Sequence, residues 1–233
     1  MILKKYRHIF FDLDHTLWDF ETNSRNTVQK LFEARGLAEP LQCEWEVFYQ
    51  RYLEVNESKW ALYRVGRITK ARLRAERFFD TFKAFGLEDL KMATDFEQEY
   101  LATCPYQSAL LPGSREVLDY LSGEYKLHIL TNGFHETQTI KLRESGIADY
   151  FDNLFASDVL GANKPDRKVF GTALGRAGAN RKDTIMIGDN LAIDVLGARN
   201  SGLDQIYYNP RQAAHNEKIT FEISELLHLR DIL

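Results

Sequence analysis

Four separated stretches of the chain carry side chains that could together hydrolyse a phosphate ester. They are Asp12-Leu13-Asp14-His15-Thr16, Thr131-Asn132-Gly133, Lys164-Pro165, and Gly188-Asp189-Asn190 followed by Asp194. Each stretch alone is weak evidence, because short motifs occur by chance. Their order and their placement after apolar runs predict a magnesium-dependent phosphatase that uses an aspartate as its nucleophile.

The first motif offers two carboxylates with separable roles. Asp12 and Asp14 are two residues apart, so an extended backbone points both side chains to the same side. Asp12 ends the preceding apolar run directly and is the better candidate nucleophile, which would form an aspartyl-phosphate. Asp14 would protonate the departing alkoxide and later deprotonate water. Because neighbouring carboxylates raise the cost of ionising both, we expect one of them to remain available as an acid near neutral pH.

A carboxylate that approaches a phosphate dianion needs positive charge beside it. Two unit charges about 4 Å apart repel by roughly 4 kcal/mol at an intermediate dielectric. Asp12 and Asp189, with one or two backbone or solvent oxygens, form a hard oxygen site that suits Mg²⁺ better than zinc or calcium. Lys164 would add a fixed positive charge.

The remaining polar residues of the motifs have supporting roles in this interpretation. Thr131 and the backbone amides of Asn132 and Gly133 can donate hydrogen bonds to phosphoryl oxygens. Asp194 is predicted to orient a water molecule or Lys164 rather than to contact the substrate.

The segments around these motifs predict an α/β protein. Short apolar runs typical of buried parallel strands cover residues 9–11, 127–130, 185–187 and 205–208, and helical patterns lie between them. This alternation predicts a doubly wound, mainly parallel, Rossmann-like sheet. Ligands bind at the carboxyl ends of such strands, where Asp12, Thr131 and Asp189 fall.

Residues from about 20 to 104 have helical periodicity and no convincing strand. We therefore predict an α/β catalytic core formed by residues 1–17 and 106–233, with an inserted all-helical cap domain at residues 18–105. Arg67, Lys70, Arg74 and Arg77 recur at helical spacing in this segment and are interpreted as the solvated flank of a packed helix.

Composition narrows the classes of partner. The 233 residues carry a formal net charge of -4, which argues against a nucleic-acid-binding protein and leaves small anionic ligands possible. Asp12 and Asp14 interrupt the N-terminal apolar run too early for a signal peptide, and no apolar run reaches transmembrane length. The expectation is a cytoplasmic protein with no membrane partner; no oligomeric state is predicted.

The motifs Asp12-x-Asp14-x-Thr16, Thr131-Asn132, Lys164-Pro165 and Gly188-Asp189-x4-Asp194 resemble the four ordered motifs of haloacid dehalogenase-like hydrolases, over essentially the whole chain. The resemblance implies the following roles: Asp12 as nucleophile and metal ligand, Asp14 as acid and base with its backbone oxygen on the metal, Thr131 on the phosphoryl group, Lys164 on nucleophile and phosphate, and Asp189 as metal ligand. The helical insert resembles the cap that closes over the active site in one branch of the superfamily. Dehalogenases typically lack the second aspartate of the first motif, so Asp14 favours phosphate chemistry.

A narrower resemblance is to pyrimidine 5'-nucleotidases. It is carried by Thr131-Asn132-Gly133-Phe134, by Gly146 followed by Tyr150-Phe151-Asp152, and by Trp60, Tyr63, Gly66, Ile68 and Thr69 of the insert. It implies a nucleoside monophosphate as the small-molecule substrate. The alternatives are a sugar-phosphate phosphatase or phosphomutase, and a non-enzymatic signalling module that accepts phosphate on an aspartate.

Three residues of the insert are weaker candidates for substrate contacts. Trp60 and Tyr63 could offer aromatic faces to a nucleobase, although such residues more often belong to a core. Arg67, beside Gly66, could help to hold an anionic substrate.

Overall fold

The computed structural model describes residues 6–233. The chain divides into two compact units, one formed by the N-terminal residues up to Asp19 together with Ser108–Leu233, and the other by Phe20–Gln107. The sequence pattern predicts these boundaries after residues 17 and 105, whereas the structure has them after Asp19 and Gln107. The assignment of catalysis to the first unit and of substrate selection to the second stays a prediction.

The first unit contains one parallel sheet. Its strands are β1 (His8–Phe11), β2 (Lys126–Thr131), β3 (Phe151–Ala156), β4 (Thr184–Gly188), β5 (Asp204–Tyr208) and β6 (Phe221–Ile223). Their order is β3-β2-β1-β4-β5-β6, and each neighbouring pair is parallel. The predicted doubly wound α/β core is therefore confirmed.

The residue pattern identified four of these strands and missed β3 and β6. Both lie at an edge of the sheet, where a strand has a neighbour on one side only and can carry polar residues. Asp152 and Asn153 interrupt the apolar run of β3, and β6 has three residues, which is too short for a periodicity. The edge strands form because the adjacent strands offer unpaired backbone groups.

Helices of the second unit follow β1 in the chain. They are α1 (Phe20–Ala34), α2 (Ala38–Leu41), α3 (Trp45–Arg64), α4 (Lys70–Lys83) and α5 (Leu90–Thr103). Large aromatic side chains fill the core between them, among them the fully buried Phe48, Phe78, Phe82 and Phe96. Each such side chain contributes roughly 1.5–3 kcal/mol through burial. The predicted all-helical character of the insert is confirmed.

One prediction about this unit is wrong. Arg77 does not lie on a solvated flank: it is 5% exposed, and Glu97 accepts hydrogen bonds from its guanidinium at 2.7 and 3.1 Å. Asn56 accepts a further hydrogen bond at 3.2 Å. The periodicity of the charged residues on α4 could not show this pairing, because Glu97 lies on α5.

Helices of the first unit cover the sheet. They are α6 (Ser114–Leu121), α7 (His135–Glu144), α8 (Ser157–Leu160), α9 (Arg167–Ala177) and α10 (Leu196–Asn200), the last preceded by a π-helical turn at Leu191–Val195. Short 3-10 segments lie at Ala148–Tyr150, Arg181–Asp183 and Leu226–Asp231 of this unit, and at Cys104–Tyr106 of the second unit. One hydrophobic cluster joins Phe10, Leu130 and Met186 of the central strands to Val169 and Phe170 of α9. The central strands are thereby fixed against a helix layer.

None of the helices in the described part of the chain is long and apolar enough to cross a membrane.

A histidine pair is buried across the central strands. His8 Nδ1 lies 2.9 Å from His128 Nε2, and Asn153 Nδ2 donates to His128 Nδ1 at 3.1 Å. Because His128 Nδ1 accepts this bond, the His128 ring is neutral and donates from Nε2. Burial lowers the pKa of His8. Burial and, after it, the charge of His8 lower the pKa of His128 to about 4.

We expect this pair to make the fold acid-sensitive. The unfolded chain binds a proton at His128 near its ordinary pKa of about 6.5, whereas the folded chain binds it near 4, so stability present above pH 6.5 is lost as pH falls toward 4. The loss is on the order of 3 kcal/mol. Urea unfolding at a series of pH values should show a shallower decline for His128→Gln than for the wild type. His228→Gln, at an exposed histidine, is the matched control and should keep the wild-type slope; equal slopes for the wild type and His128→Gln would contradict the assignment.

Candidate active site

Three candidate residues lie at the carboxyl ends of the central strands. Asp12 directly follows β1, Thr131 ends β2, and Asp189 directly follows β4. β1 lies between β2 and β4. The chain runs outward from β1 to β3 on one side and from β4 to β6 on the other, so the strand order reverses between β1 and β4. The candidates therefore lie at the carboxyl ends of adjacent strands at the topological switch point, the usual ligand site of such sheets.

Lys164 is buried between two carboxylates. Its Nζ lies 2.9 Å from Asp12 Oδ1 and 2.6 Å from Asp194 Oδ1, and it donates to the backbone oxygen of Leu130 at 2.7 Å. These three acceptors match the three donors of an ammonium group. Burial opposes the charge, but Asp12 and Asp194 outweigh it and raise the pKa of Lys164. Lys164 is therefore a permanent positive charge beside Asp12.

Asn132 holds the backbone that presents Lys164. Its Nδ2 donates to the Lys164 backbone oxygen at 3.0 Å, and its Oδ1 accepts from the Lys164 backbone amide at 2.8 Å. Ser157 Oγ donates to the same Oδ1 at 2.7 Å. The side chain of Asn132 thus holds the backbone of Lys164. The predicted contact with phosphate involves the backbone amide of Asn132 and stays a prediction.

Asp189 and Asp194 are positioned by the turn after β4. The Asp189 amide donates to Thr16 Oγ1 at 3.1 Å, and Thr16 Oγ1 donates to Asp189 Oδ1 at 3.2 Å. A Cβ at Gly188 would lie 2.5 Å from Asp194 Oδ2, so this carboxylate can approach the strand end only beside glycine. Thr16 was part of the first motif, but its contact with Asp189 was not predicted.

The carboxylates form a group that fits a hard cation. Oxygens of Asp12, Asp189 and Asp194 lie within 4.8 Å of one another. Burial raises the pKa of Asp12 to about 6 despite the charge of Lys164. Burial, followed by the charge of Asp12, raises the pKa of Asp189 to about 7. One lysine therefore does not balance this buried negative charge, and an all-oxygen donor set of this kind suits Mg²⁺.

Asp14 is held by two residues that the sequence motifs did not include. Lys141 Nζ lies 2.5 Å from Asp14 Oδ1, and Gln138 Nε2 donates to Asp14 Oδ2 at 2.9 Å. Burial would raise the pKa of Asp14, but the charge of Lys141 and the hydrogen bonds from Lys141 and Gln138 outweigh burial and lower it. Sequence analysis predicts that one of the two carboxyls keeps its proton near neutral pH and gives the acid role to Asp14. The two pKa shifts have the opposite order, because the pKa of Asp12 is raised and that of Asp14 is lowered.

Thr131 has its hydroxyl oriented by two donors. The Gly133 amide donates to Thr131 Oγ1 at 3.0 Å, and Gln138 Nε2 donates to it at 2.9 Å. Both lone pairs of the hydroxyl are then used, so its proton is the group left to donate to a ligand. A Cβ at Gly133 would collide with Gln138, so glycine is required for this contact.

The sequence carried one signal for the missed residues. Gln138 and Lys141 are three positions apart on α7, which starts soon after the Thr131 motif. Residues at this spacing share a helix face. The helix is polar on most sides, so its sequence alone did not show which polar residues face inward.

The three weaker candidates lie in the helical unit. Trp60 and Tyr63 are on α3, with ring centroids 5.7 Å apart in an edge-to-face arrangement. Both are partly exposed, and Arg67 beyond the helix end is exposed. Their roles in substrate binding stay predictions.

Comparison with known proteins identifies the family. A family model described as haloacid dehalogenase-like hydrolase matches residues 6–202. The chain is 33% identical to pyrimidine 5'-nucleotidase PynA of Streptococcus pneumoniae, across 98% of this chain and 95% of that protein. It is 32% identical to pyrimidine 5'-nucleotidase YjjG of Escherichia coli, across 98% of each.

A solved structure agrees with this result. The HAD-hydrolase YfnB of Bacillus subtilis, crystallised with magnesium, matches with a TM-score of 0.89 and 28% identity, across 98% of this chain and 99% of that one. The resemblance inferred from the motifs is confirmed. The chain belongs to the haloacid dehalogenase-like hydrolases and is an enzyme of the phosphoric monoester hydrolase class.

Proposed function

We propose that this enzyme is a magnesium-dependent phosphatase that works through an aspartyl-phosphate on Asp12. The observation that carries the proposal is the position of Asp12 at the end of β1, with Lys164 Nζ 2.9 Å from one of its oxygens and Asp189 beside it. This arrangement supplies a nucleophile, a fixed positive charge and a second carboxylate for a cation at one point.

In the first half of the reaction an oxygen of Asp12 attacks phosphorus while the bond from phosphorus to the ester oxygen breaks. Lys164 offsets the negative charge that gathers between nucleophile and phosphate, and the Thr131 hydroxyl donates to a phosphoryl oxygen. Bound Mg²⁺, held by Asp12, Asp189 and the backbone oxygen of Asp14, would neutralise phosphate charge as a Lewis acid.

Asp14 handles the protons in both halves. The incoming phosphate adds negative charge near Asp14 and counteracts the charge of Lys141. This added negative charge favours the protonated form of the Asp14 carboxyl. Its proton passes to the departing alkoxide, and the carboxylate then takes a proton from the water that hydrolyses the aspartyl-phosphate. The cycle returns Asp12 and Asp14 to their starting states and releases an alcohol and inorganic phosphate.

The substrate we propose is a nucleoside 5'-monophosphate, with preference for pyrimidine bases. It is supported by the two pyrimidine 5'-nucleotidases that resemble the chain over nearly its whole length. Measured phosphate release should be fastest with pyrimidine nucleotides, slower with purine nucleotides and slowest with sugar phosphates. Equal rates on the three groups would remove the nucleotidase assignment and leave a general phosphatase.

Removal of the metal should strongly slow turnover. Without a divalent cation, the buried carboxylates repel the phosphate dianion, so we expect EDTA-treated enzyme to lose at least roughly 10²-fold in kcat. Added Mg²⁺ should restore the rate, whereas added Ca²⁺, which prefers more ligands at longer distances, should not. Phosphate release from a pyrimidine nucleotide measures both the loss of activity in EDTA and its recovery with Mg²⁺. Full activity in EDTA would contradict the proposal.

The signalling alternative predicts a different product. A phosphate-accepting module would form one lasting aspartyl-phosphate per chain, whereas an enzyme releases many phosphates per chain. Counting phosphate released against protein added distinguishes the two.

A further inference from the structure

The Asp14 carboxylate is fixed at both oxygens from one helix. Lys141 Nζ lies 2.5 Å from Oδ1, and Gln138 Nε2 lies 2.9 Å from Oδ2. Both residues belong to α7, one helical turn apart. A carboxylate bound at two oxygens by one rigid element cannot rotate freely about its side-chain bonds.

Lys141 is itself immobilised. Its Nζ lies 4.2 Å from the centroid of the Trp18 ring, and Trp18 is fully buried. The ammonium group therefore lies against both an aromatic face and the Asp14 carboxylate, each of which favours a positive charge. Lys141 is 5% exposed, so solvent screens this ion pair less than it screens a surface pair.

Gln138 connects Asp14 to the phosphate-binding side of the site. The same Nε2 group donates to Asp14 Oδ2 and to Thr131 Oγ1, at 2.9 Å in each case. Gln138 is fully buried, so its amide has no alternative position in solvent. The distance between the acid and the hydroxyl proposed to bind phosphate is therefore set by one side chain.

The Asp14 side chain nevertheless keeps an open side, with 24% of its surface exposed. A fixed carboxylate with one accessible side is suited to delivering a proton in a defined direction.

We propose that Lys141 and Gln138 are positioning residues that hold Asp14 for proton transfer to the leaving oxygen. This inference rests on the proposed function and adds two residues to its machinery. As the bond from phosphorus to oxygen breaks, the Asp14 proton goes to the ester oxygen, so an alkoxide leaves as an alcohol. An aryl ester whose phenolate is stable leaves without that proton and does not need a positioned acid.

The test compares two esters in the full-length enzyme with Mg²⁺. Lys141→Met should lower the single-turnover rate of the first half of the reaction, followed as release of nucleoside or p-nitrophenolate with enzyme in excess over ester. We expect a loss of about 10²-fold for a pyrimidine nucleotide and of less than about threefold for p-nitrophenyl phosphate. Hydrolysis of the aspartyl-phosphate, in which Asp14 also acts, is common to both esters and does not enter this rate. Asp14→Asn should show the same dependence on the leaving group. Combining the two substitutions should cost little more than Asp14→Asn alone, because both remove one function. Lys141→Arg, which keeps the charge and can stack on Trp18, should recover part of the nucleotide rate.

Control variants separate positioning from folding. Lys91→Met removes an exposed ion pair of similar length, with Asp95 at 2.6 Å, and should leave both rates unchanged. Gln138→Met gives an independent variant if Lys141→Met does not fold, and it should also affect the nucleotide more than the aryl ester. Equal losses of the single-turnover rate on the two esters, or no loss on either, would overturn this inference. A wild-type enzyme inactive on both esters would instead contradict the proposed function.

Discussion

Replacing Asp12 by asparagine is expected to lower kcat by roughly 10⁴-fold or more, for aryl and alkyl phosphates alike. An amide is a poor nucleophile, so the aspartyl-phosphate cannot form whatever the leaving group. Fold stability should be kept, because burial already makes the charge of Asp12 costly and raises its pKa to about 6. Phosphate release, together with intact-protein mass after an acid quench, measures the loss of turnover and of the phosphorylated chain.

The control for this substitution is Asp149→Asn, which removes an exposed carboxylate from the same unit and should leave the rate unchanged. A phosphorylated chain that still forms in Asp12→Asn would move the nucleophile to another residue. The contrast with Asp14→Asn is informative, because that variant should still form the phosphorylated chain rapidly from the aryl ester.

Lys164→Met is expected to abolish turnover and to lower the free energy of unfolding by about 3–5 kcal/mol. The substitution leaves Asp12 and Asp194 buried without their shared ammonium group, and it removes the charge beside the nucleophile. Without that charge, the pKa values of both carboxyls rise further, so the variant should be less stable at neutral than at acid pH relative to the wild type. Urea unfolding at both pH values measures this.

A second substitution separates the two effects of Lys164. Adding Asp194→Asn to Lys164→Met removes one of the unbalanced carboxylates and should recover part of the stability but none of the activity. An unchanged free energy of unfolding in the single variant would show that the ion pairs around Lys164 contribute no net stability.

The sequence by itself determined where the candidate site residues lie. Asp12, Thr131 and Asp189 each follow an apolar run, and the carboxyl ends of parallel strands meet at one edge of the sheet. A strand buried on both faces must be apolar throughout, so the point where polar residues begin marks its end. This local rule predicted the α/β core. Helical periodicity predicted the insert, and the four ordered motifs carried the resemblance to the family.

Only the tertiary structure decided which charged groups meet. Arg77 pairs with Glu97 from another helix, and Lys141 with Asp14 from the loop after β1. A periodicity describes one element at a time, whereas the charge state of a buried carboxylate depends on which side chains other elements bring to it. The pKa of Asp14 is lowered because Lys141 and Gln138 of α7 contact its carboxylate. Nothing in the sequence around Asp14 specifies which side of that helix packs against it.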